Sequence, residues 1–122
     1  MTCPFCQLDS NIIIYSNDLA LATYDLYPVN KGHILIIPKR HVADFFDTTL
    51  EEREAINELL EKCKELLGEK YRPDGFNVGI NCGEAAGQTV FHVHVHLIPR
   101  FHGDMDNPRG GVRGVIPDKR IY

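Results

Sequence analysis

The chain has 122 residues, a formal net charge of −4, 43% hydrophobic and 25% charged residues, which is one domain's worth of an ordinary globular protein with a real but small core. The acidic balance excludes the general basic footprint that a nucleic-acid duplex requires, but not a small anionic ligand, which local donors decide. No apolar run approaches the roughly 20 residues that span a bilayer, and Met1-Thr2-Cys3-Pro4-Phe5-Cys6 has neither the basic nor the apolar stretch of a secretory leader, so a cytoplasmic location is expected.

Residues 11–16 and 19–24 read as two short apolar strands around Asn17-Asp18, a hairpin signal. Asp25 to Gly32 carries Pro28, Asn30 and Gly32, which is loop chemistry. His33 to Pro38 is a third strand, apolar throughout and hence central. Thr48 or Thr49 caps a long helix with Glu51 and Glu52 in its first turn, where the helix dipole favours negative charge. The helix's apolar stripe is Ile56, Leu59, Leu60, Cys63, Leu66 and Leu67, and it is expected to end near Gly68. Gly75–Cys82 and Val90–Pro99 complete five strands. With no internal repeat or linker, residues 1–122 read as a single domain, core 1–101, followed by a Gly-, Pro- and Arg-rich tail over 102–122. Strands around one good helix predict an α+β domain, with an antiparallel sheet carrying the helix on one face. The sheet needs further cover, which a second copy supplies most simply, so a homodimer is expected.

The four cysteines read as thiols or metal ligands rather than disulfides in a reducing compartment. Cys63 falls on the helix's apolar face, and Cys82 continues the alternation Phe76, Val78, Ile80; both are expected in the core. The pair Cys3-Pro4-Phe5-Cys6 leaves three readings open: a redox pair without its usual βαβ context, half a zinc site, or two plain thiols.

The informative stretch is Gln88-Thr89-Val90-Phe91-His92-Val93-His94-Val95-His96-Leu97-Ile98-Pro99. Period-two alternation puts His92, His94 and His96 on one face and Phe91, Val93, Val95 and Leu97 in the core, with about 7 Å between neighbouring histidines. Two chemistries fit such a row. The histidines can gather a catalytic zinc, or a neutral imidazole can attack phosphorus and leave a covalent intermediate. Asn77, Gly79 and Asn81 face away from Phe76, Val78 and Ile80, and small residues and amides there suit the close approach of a phosphate; Asn81 alone also suits a turn.

His92-Val93-His94-Val95-His96-Leu97-Ile98 resembles the His-φ-His-φ-His-φ-φ signature (φ apolar) of the histidine triad (HIT) family. Asp25-Leu26-Tyr27-Pro28, Gly32 to His41, the Asn81 to Gly83 turn and Gly87-Gln88-Thr89-Val90 follow in the family's order, so the similarity covers nearly the whole chain. The resemblance implies a HIT fold and hydrolysis or nucleotidyl transfer at the α-phosphate of a purine nucleotide (an AMP moiety), through a nucleotidyl-histidine. His94 matches the nucleophile, with its other ring nitrogen held by a carbonyl, and His96 matches a contact to phosphate and leaving group that could help deliver a proton. Asn81, Gln88 and Thr89 match polar positions beside the phosphate. Asp25 matches the carboxylate that holds the ribose hydroxyls, and Phe5, Leu8 and Leu26 match the base slot, although plain core suits each of them singly. His33 is expected beside the active-site layer.

The zinc-containing members of the family further imply a structural zinc held by Cys3, Cys6, His41 and His92, which would deny His92 any part in proton transfer. The substrate classes that the resemblance implies are nucleoside phosphoramidates, adenylated compounds and dinucleoside polyphosphates. Residues 84–90 and the tail over 111–117 resemble the Fhit-type diadenosine polyphosphate hydrolases, whereas Asp25 suits the Hint-type phosphoramidases. Rival readings are a zinc-stabilised nucleotide-binding adaptor or sensor without turnover, and a zinc hydrolase that uses all three histidines.

Overall fold

In the computed structural model, residues 3–122 are described; Met1 and Thr2, where the leader reading begins, lie outside them. Strands β1 (Ile13–Ser16) and β2 (Ala20–Tyr24) form the expected hairpin. Its turn is built by one side chain: Asn17 Oδ1 accepts the N–H groups of Leu19 and Ala20 at 3.2 and 2.9 Å, while Nδ2 donates to the Ala55 carbonyl at 2.9 Å. The first strand starts two residues later than expected. Asp9 accepts the Asn11 N–H at 2.9 Å and winds Ser10–Ile12 into a 3-10 turn instead.

Strand β3 (Ile34–Pro38) is buried at all five positions. After it come α1 (Leu50–Tyr71), β4 (Gly75–Ile80) and β5 (Val95–Arg100), and the antiparallel sheet runs β1-β2-β3-β5-β4. The late strand β5 thus inserts between β3 and the edge strand β4. The helix begins with a capping box: Thr49 Oγ1 accepts from the Glu52 N–H at 3.1 Å and Glu52 Oε1 accepts from the Thr49 N–H at 2.9 Å. It lies on one face of the sheet, where Ile56, Leu59, Cys63 and Leu67 meet Ala20, Ala22, Ile34, Ile36, Val95 and Leu97. Burying each of the larger side chains contributes roughly 1.5–3 kcal/mol. The opposite face, with Thr23, Leu35 and His96, is left for the site.

Four expectations need correction. The helix runs through Gly68 to Tyr71, because Leu67 and Tyr71 both pack on the core and offset the glycine's cost of about 1 kcal/mol; Arg72, at φ 51°, ends it in the left-handed conformation. Strand β5 begins at Val95 rather than Val90, since its ladder with β3 reaches only Ile36 and β4 stops at Ile80. Without a strand partner on either side, residues 90–94 lose the strict alternation, and Phe91 is half exposed instead of entering the core, while Val93 is buried. Cys82 lies past the end of β4 and is only partly buried, not a core thiol.

The tail beyond His102 folds back as two 3-10 turns, Gly111–Val115 and Pro117–Lys119, the first against β4. Arg120 donates to the carbonyls of Asn107 and Arg109, and Arg109 and Arg113 lie 5.0 and 4.8 Å from the ring centre of Tyr122. Among the described residues, no helix is long and apolar enough to cross a membrane.

Candidate functional site

Two loops and the N-terminal segment converge beyond the ends of β3 and β5. Residues 39–49 leave β3 and enter α1. Their anchor is Arg40, which grips Glu52 with two bonds, Nη2–Oε1 at 2.8 Å and Nε–Oε2 at 3.0 Å. Glu52 is nearly buried, and this bidentate partner together with the helix cap holds its carboxyl below its ordinary pKa. The second loop, residues 81–94, is laced to the first by the Val93 N–H donating to the Val42 carbonyl at 2.8 Å and by Gln88 Nε2 donating to the Ala43 carbonyl at 2.7 Å.

At this junction Cys3, Cys6, His41 and His92 come together, with one ligand atom from each inside 4.8 Å of the others. The four residues expected to bind zinc are therefore neighbours in space, although the first and last are 89 positions apart in sequence. His92 Nε2 donates to the Pro38 carbonyl at 2.7 Å, which leaves Nδ1 unprotonated and turned toward the cluster. That lone pair meets Cys3 Sγ at 3.4 Å, Cys6 Sγ at 3.5 Å and His41 Nδ1 at 3.2 Å. Burial, with His41 and His94 close by, holds the His92 pKa below the ordinary imidazole value despite its bond to Pro38. Two thiols and two imidazoles converging in this way fit a closed tetrahedral zinc site, which needs all four donors and leaves no position for substrate.

On the sheet face opposite the helix lies a cavity of about 500 Å³. Phe5, Leu8, Asp25, Leu26, Asn81, Thr89, His94 and His96 all line it, so eight of the residues singled out in the sequence share one cavity. Phe5 and Leu8 form its apolar side with Ile12 and Leu35, and Leu26, 77% exposed, sits at its lip. Gln88 is the exception. Its side chain is buried and spent on the protein itself, donating to Ala43 and Val90 carbonyls while Oε1 accepts from the Gly83 N–H at 2.8 Å. It braces the 83–90 loop and is not among the side chains that line the cavity.

The hydrogen bonds fix the tautomers of the three histidines at the cavity floor. His94 Nδ1 donates to the His92 carbonyl at 2.9 Å, so Nε2 carries the lone pair. The Val29 N–H donates to His33 Nδ1 at 3.1 Å, which puts the His33 proton on Nε2; that N–H donates to His96 Nδ1 at 2.9 Å, which in turn leaves the His96 proton on Nε2. Burial lowers the pKa of both His33 and His96; for His96 the neighbouring His94 and His33 push the same way, and Asp25 only partly opposes. In both, burial favours the neutral form. The floor thus offers a basic nitrogen on His94 beside a neutral N–H donor on His96, their rings 5.3 Å apart.

Asp25 completes the group: Oδ1 accepts from the Tyr27 N–H at 2.8 Å and Oδ2 lies 3.5 Å from His33 Nε2. By spacing alone, Asp25, His33 and His96 could hold a cation. The proton on His33 Nε2, required by the Val29 bond on the other nitrogen, argues instead for a hydrogen-bonded chain. Sequence reasoning had no means of finding Val29 or Pro38 here, because their contributions are a backbone N–H and a backbone carbonyl, which any residue carries.

The chain was compared with known proteins. A family model described as the HIT domain matches residues 7–103. A crystal structure of a HIT family protein from Bacillus anthracis superposes with a TM-score of 0.77 at 41% identity, covering 84% of this chain and 75% of that one. A zinc-bound histidine triad family protein from Mycobacterium smegmatis superposes with a TM-score of 0.76 at 38% identity, over 84% and 78% of the two chains. A relative from Mycobacterium tuberculosis named AP-4-A phosphorylase is 35% identical over 83% of this chain and 55% of its own length. With most of its length matched by the family model and the same five-stranded architecture in the solved relatives, the chain belongs to the HIT domain family.

Proposed function

We propose that this protein is a nucleotide hydrolase or nucleotidyl transferase that attacks an α-phosphate through His94. The single observation that carries the reading is the His94 Nδ1–H bond to the His92 carbonyl, which presents the Nε2 lone pair in a cavity lined by both apolar and hydrogen-bonding side chains. In the first step Nε2 forms a bond to phosphorus as the bond to the leaving group breaks; in the second, water attacks phosphorus and His94 departs. His96 Nε2–H donates a hydrogen bond to a phosphate oxygen or to the leaving atom. Since His96 is neutral and its other nitrogen is occupied by His33, handing that proton over requires the pair to take one up first.

Asp25 is the ribose contact in this reading: Oδ2 is not claimed by a backbone donor and lies at the cavity wall. Phe5 and Leu8 take the base, and Asn81 and Thr89 the phosphate. Cys3, Cys6, His41 and His92 hold a structural zinc; the zinc-bound relative and the convergence of their donor atoms support it. Bound there, zinc would fix the N-terminal segment and the backbone leading to His94. The protein works as a homodimer, which the half-exposed Val78 on the edge strand β4 supports.

Turnover of adenosine phosphoramidate and of diadenosine polyphosphates, measured side by side, tests the reading and chooses the branch. Release of AMP from at least one class is expected, and its abolition by His94→Ala. AMP binding with no turnover of either class would favour the adaptor reading. Loss of activity within seconds of adding a chelator, with no enzyme-bound nucleotide, would favour a zinc hydrolase.

A further inference from the structure

We propose that Cys3 and Cys6 form a redox-modification site: a peroxide closes them into a disulfide, which strips two ligands from the metal and loosens the cavity wall that Phe5 supplies. The metal part rests on the zinc reading above and the affinity readout on the nucleotide reading; the disulfide itself rests on neither.

The two sulfurs already lie inside 4.8 Å of each other, and the segment is folded tightly enough for the Cys6 N–H to reach the Cys3 carbonyl at 3.1 Å. A tetrahedral zinc with Zn–S bonds of about 2.3 Å would hold them roughly 3.8 Å apart. A disulfide needs about 2.05 Å, so the two states exclude each other. Access is selective. Cys6 is exposed and Cys3 half-buried, whereas Cys63 is sealed in the core. Cys82 stands outside the cluster.

The chemistry balances with the peroxide as the two-electron oxidant. One thiolate attacks the O–O bond, becomes a sulfenic acid and releases hydroxide; the second thiolate attacks that sulfur and displaces the other hydroxide. Two protons from solvent convert both hydroxides to water, and Zn²⁺ leaves to solvent. A dithiol returns the two electrons and reverses the change.

Phe5 connects this to the site, because it stands between the two cysteines in sequence. Its ring centre is 4.9 Å from that of His94 and 6.0 Å from that of His92. Pro4 and Phe5 both line the cavity. His92 makes a second connection, since its ring faces the thiols and its carbonyl holds the His94 tautomer. Drawing the sulfurs together therefore moves the wall that a nucleotide base would lie against.

The test uses full-length protein carrying Cys82→Ser, treated with hydrogen peroxide. Three quantities are read: zinc released to a chromogenic chelator, the mass of the peptide joining Cys3 to Cys6, and AMP affinity by calorimetry. The expected result is a Cys3–Cys6 disulfide, about one zinc freed per chain, and an AMP Kd raised roughly three- to tenfold, the scale of one lost aromatic contact. Dithiothreitol with added zinc should restore all three. In Phe5→Ala the disulfide should still form, with little further change in Kd. A disulfide that leaves Kd unchanged, or oxidation to sulfinic acid without a disulfide, overturns the proposal. Protein that never contained zinc would instead overturn the metal reading, and the disulfide and Kd would still decide this one.

Discussion

His94 and His96 differ in kind although they stand two residues apart. One has its Nδ1 proton committed to a carbonyl, and the other has its Nδ1 lone pair committed to His33. That difference makes one ring a nucleophile and the other a donor, and it was not legible in the alternating histidines, which specify a row but not a tautomer. His33 is accordingly a positioning residue. His33→Asn should lower kcat about tenfold or more with a smaller change in KM, and alter the pH dependence of kcat; an unchanged kcat and pH profile would leave His33 a packing residue only. Asp25→Ala should weaken ribonucleotides more than their 2′-deoxy counterparts, and equal losses in calorimetry would count against a direct ribose contact. Cys3, Cys6, His41 and His92 needed the family resemblance to be read as a set, since nothing in their spacing says that residues 3 and 92 meet. Gln88 carries a role that its place in the motif did not make legible: its side chain is spent on backbone groups of two loops.

Element by element, what the sequence made legible was the number and type of segments, and what it hid was where they stop. Hydrophobic period and capping residues located β3 and the start of α1 well, because both signals are local. The end of α1 and the start of β5 depend on distant partners: the core beneath Leu67 and Tyr71 in one case, the length of β3 and β4 in the other. Gly32 marks where the loop after β2 meets the end of the helix. At φ +86° it adopts a conformation that L side chains rarely take, and a Cβ there would stand 2.9 Å from Leu67 Cδ2 and from Tyr71 Cε2. Gly32→Ala should therefore cost about 1–3 kcal/mol in urea denaturation. A loss under half of the lower figure would mean that the helix end yields freely, contrary to its packing on the core.

For the molecule as a whole, one helix rests over β2, β3 and β5, and β4 is an edge strand, touched by the turn Gly111–Val115, with Val78 half exposed. Light scattering at micromolar concentration should give twice the chain mass, and a monomer would contradict the homodimer. Stability should also respond to pH. Burial holds the folded pKa values of His33 and His96 below the ordinary 6.5, against the pull of Asp25. Below that value the unfolded chain binds more protons than the folded one, so the stability present above pH 6.5 is lost as pH falls through the folded values. Urea midpoints measured with chelator at about pH 7.5 and 5.5, a span that brackets the ordinary imidazole value, should be lower in acid, and His33→Asn should narrow the gap. Equal midpoints would mean that these imidazoles are not held neutral by the fold.

The most direct test of the account is to trap the covalent step. Enzyme mixed with adenosine phosphoramidate or a diadenosine polyphosphate, quenched in alkali within one turnover and digested, should yield an adenylylated peptide carrying the label on His94. The adduct should be stable in base and lost in acid, as a phosphorus–nitrogen bond is. It should be absent from His94→Ala, which should retain AMP binding while losing kcat by several orders of magnitude. Full turnover by His94→Ala, or product formed by direct attack of water with no adduct on the chain, would contradict the account.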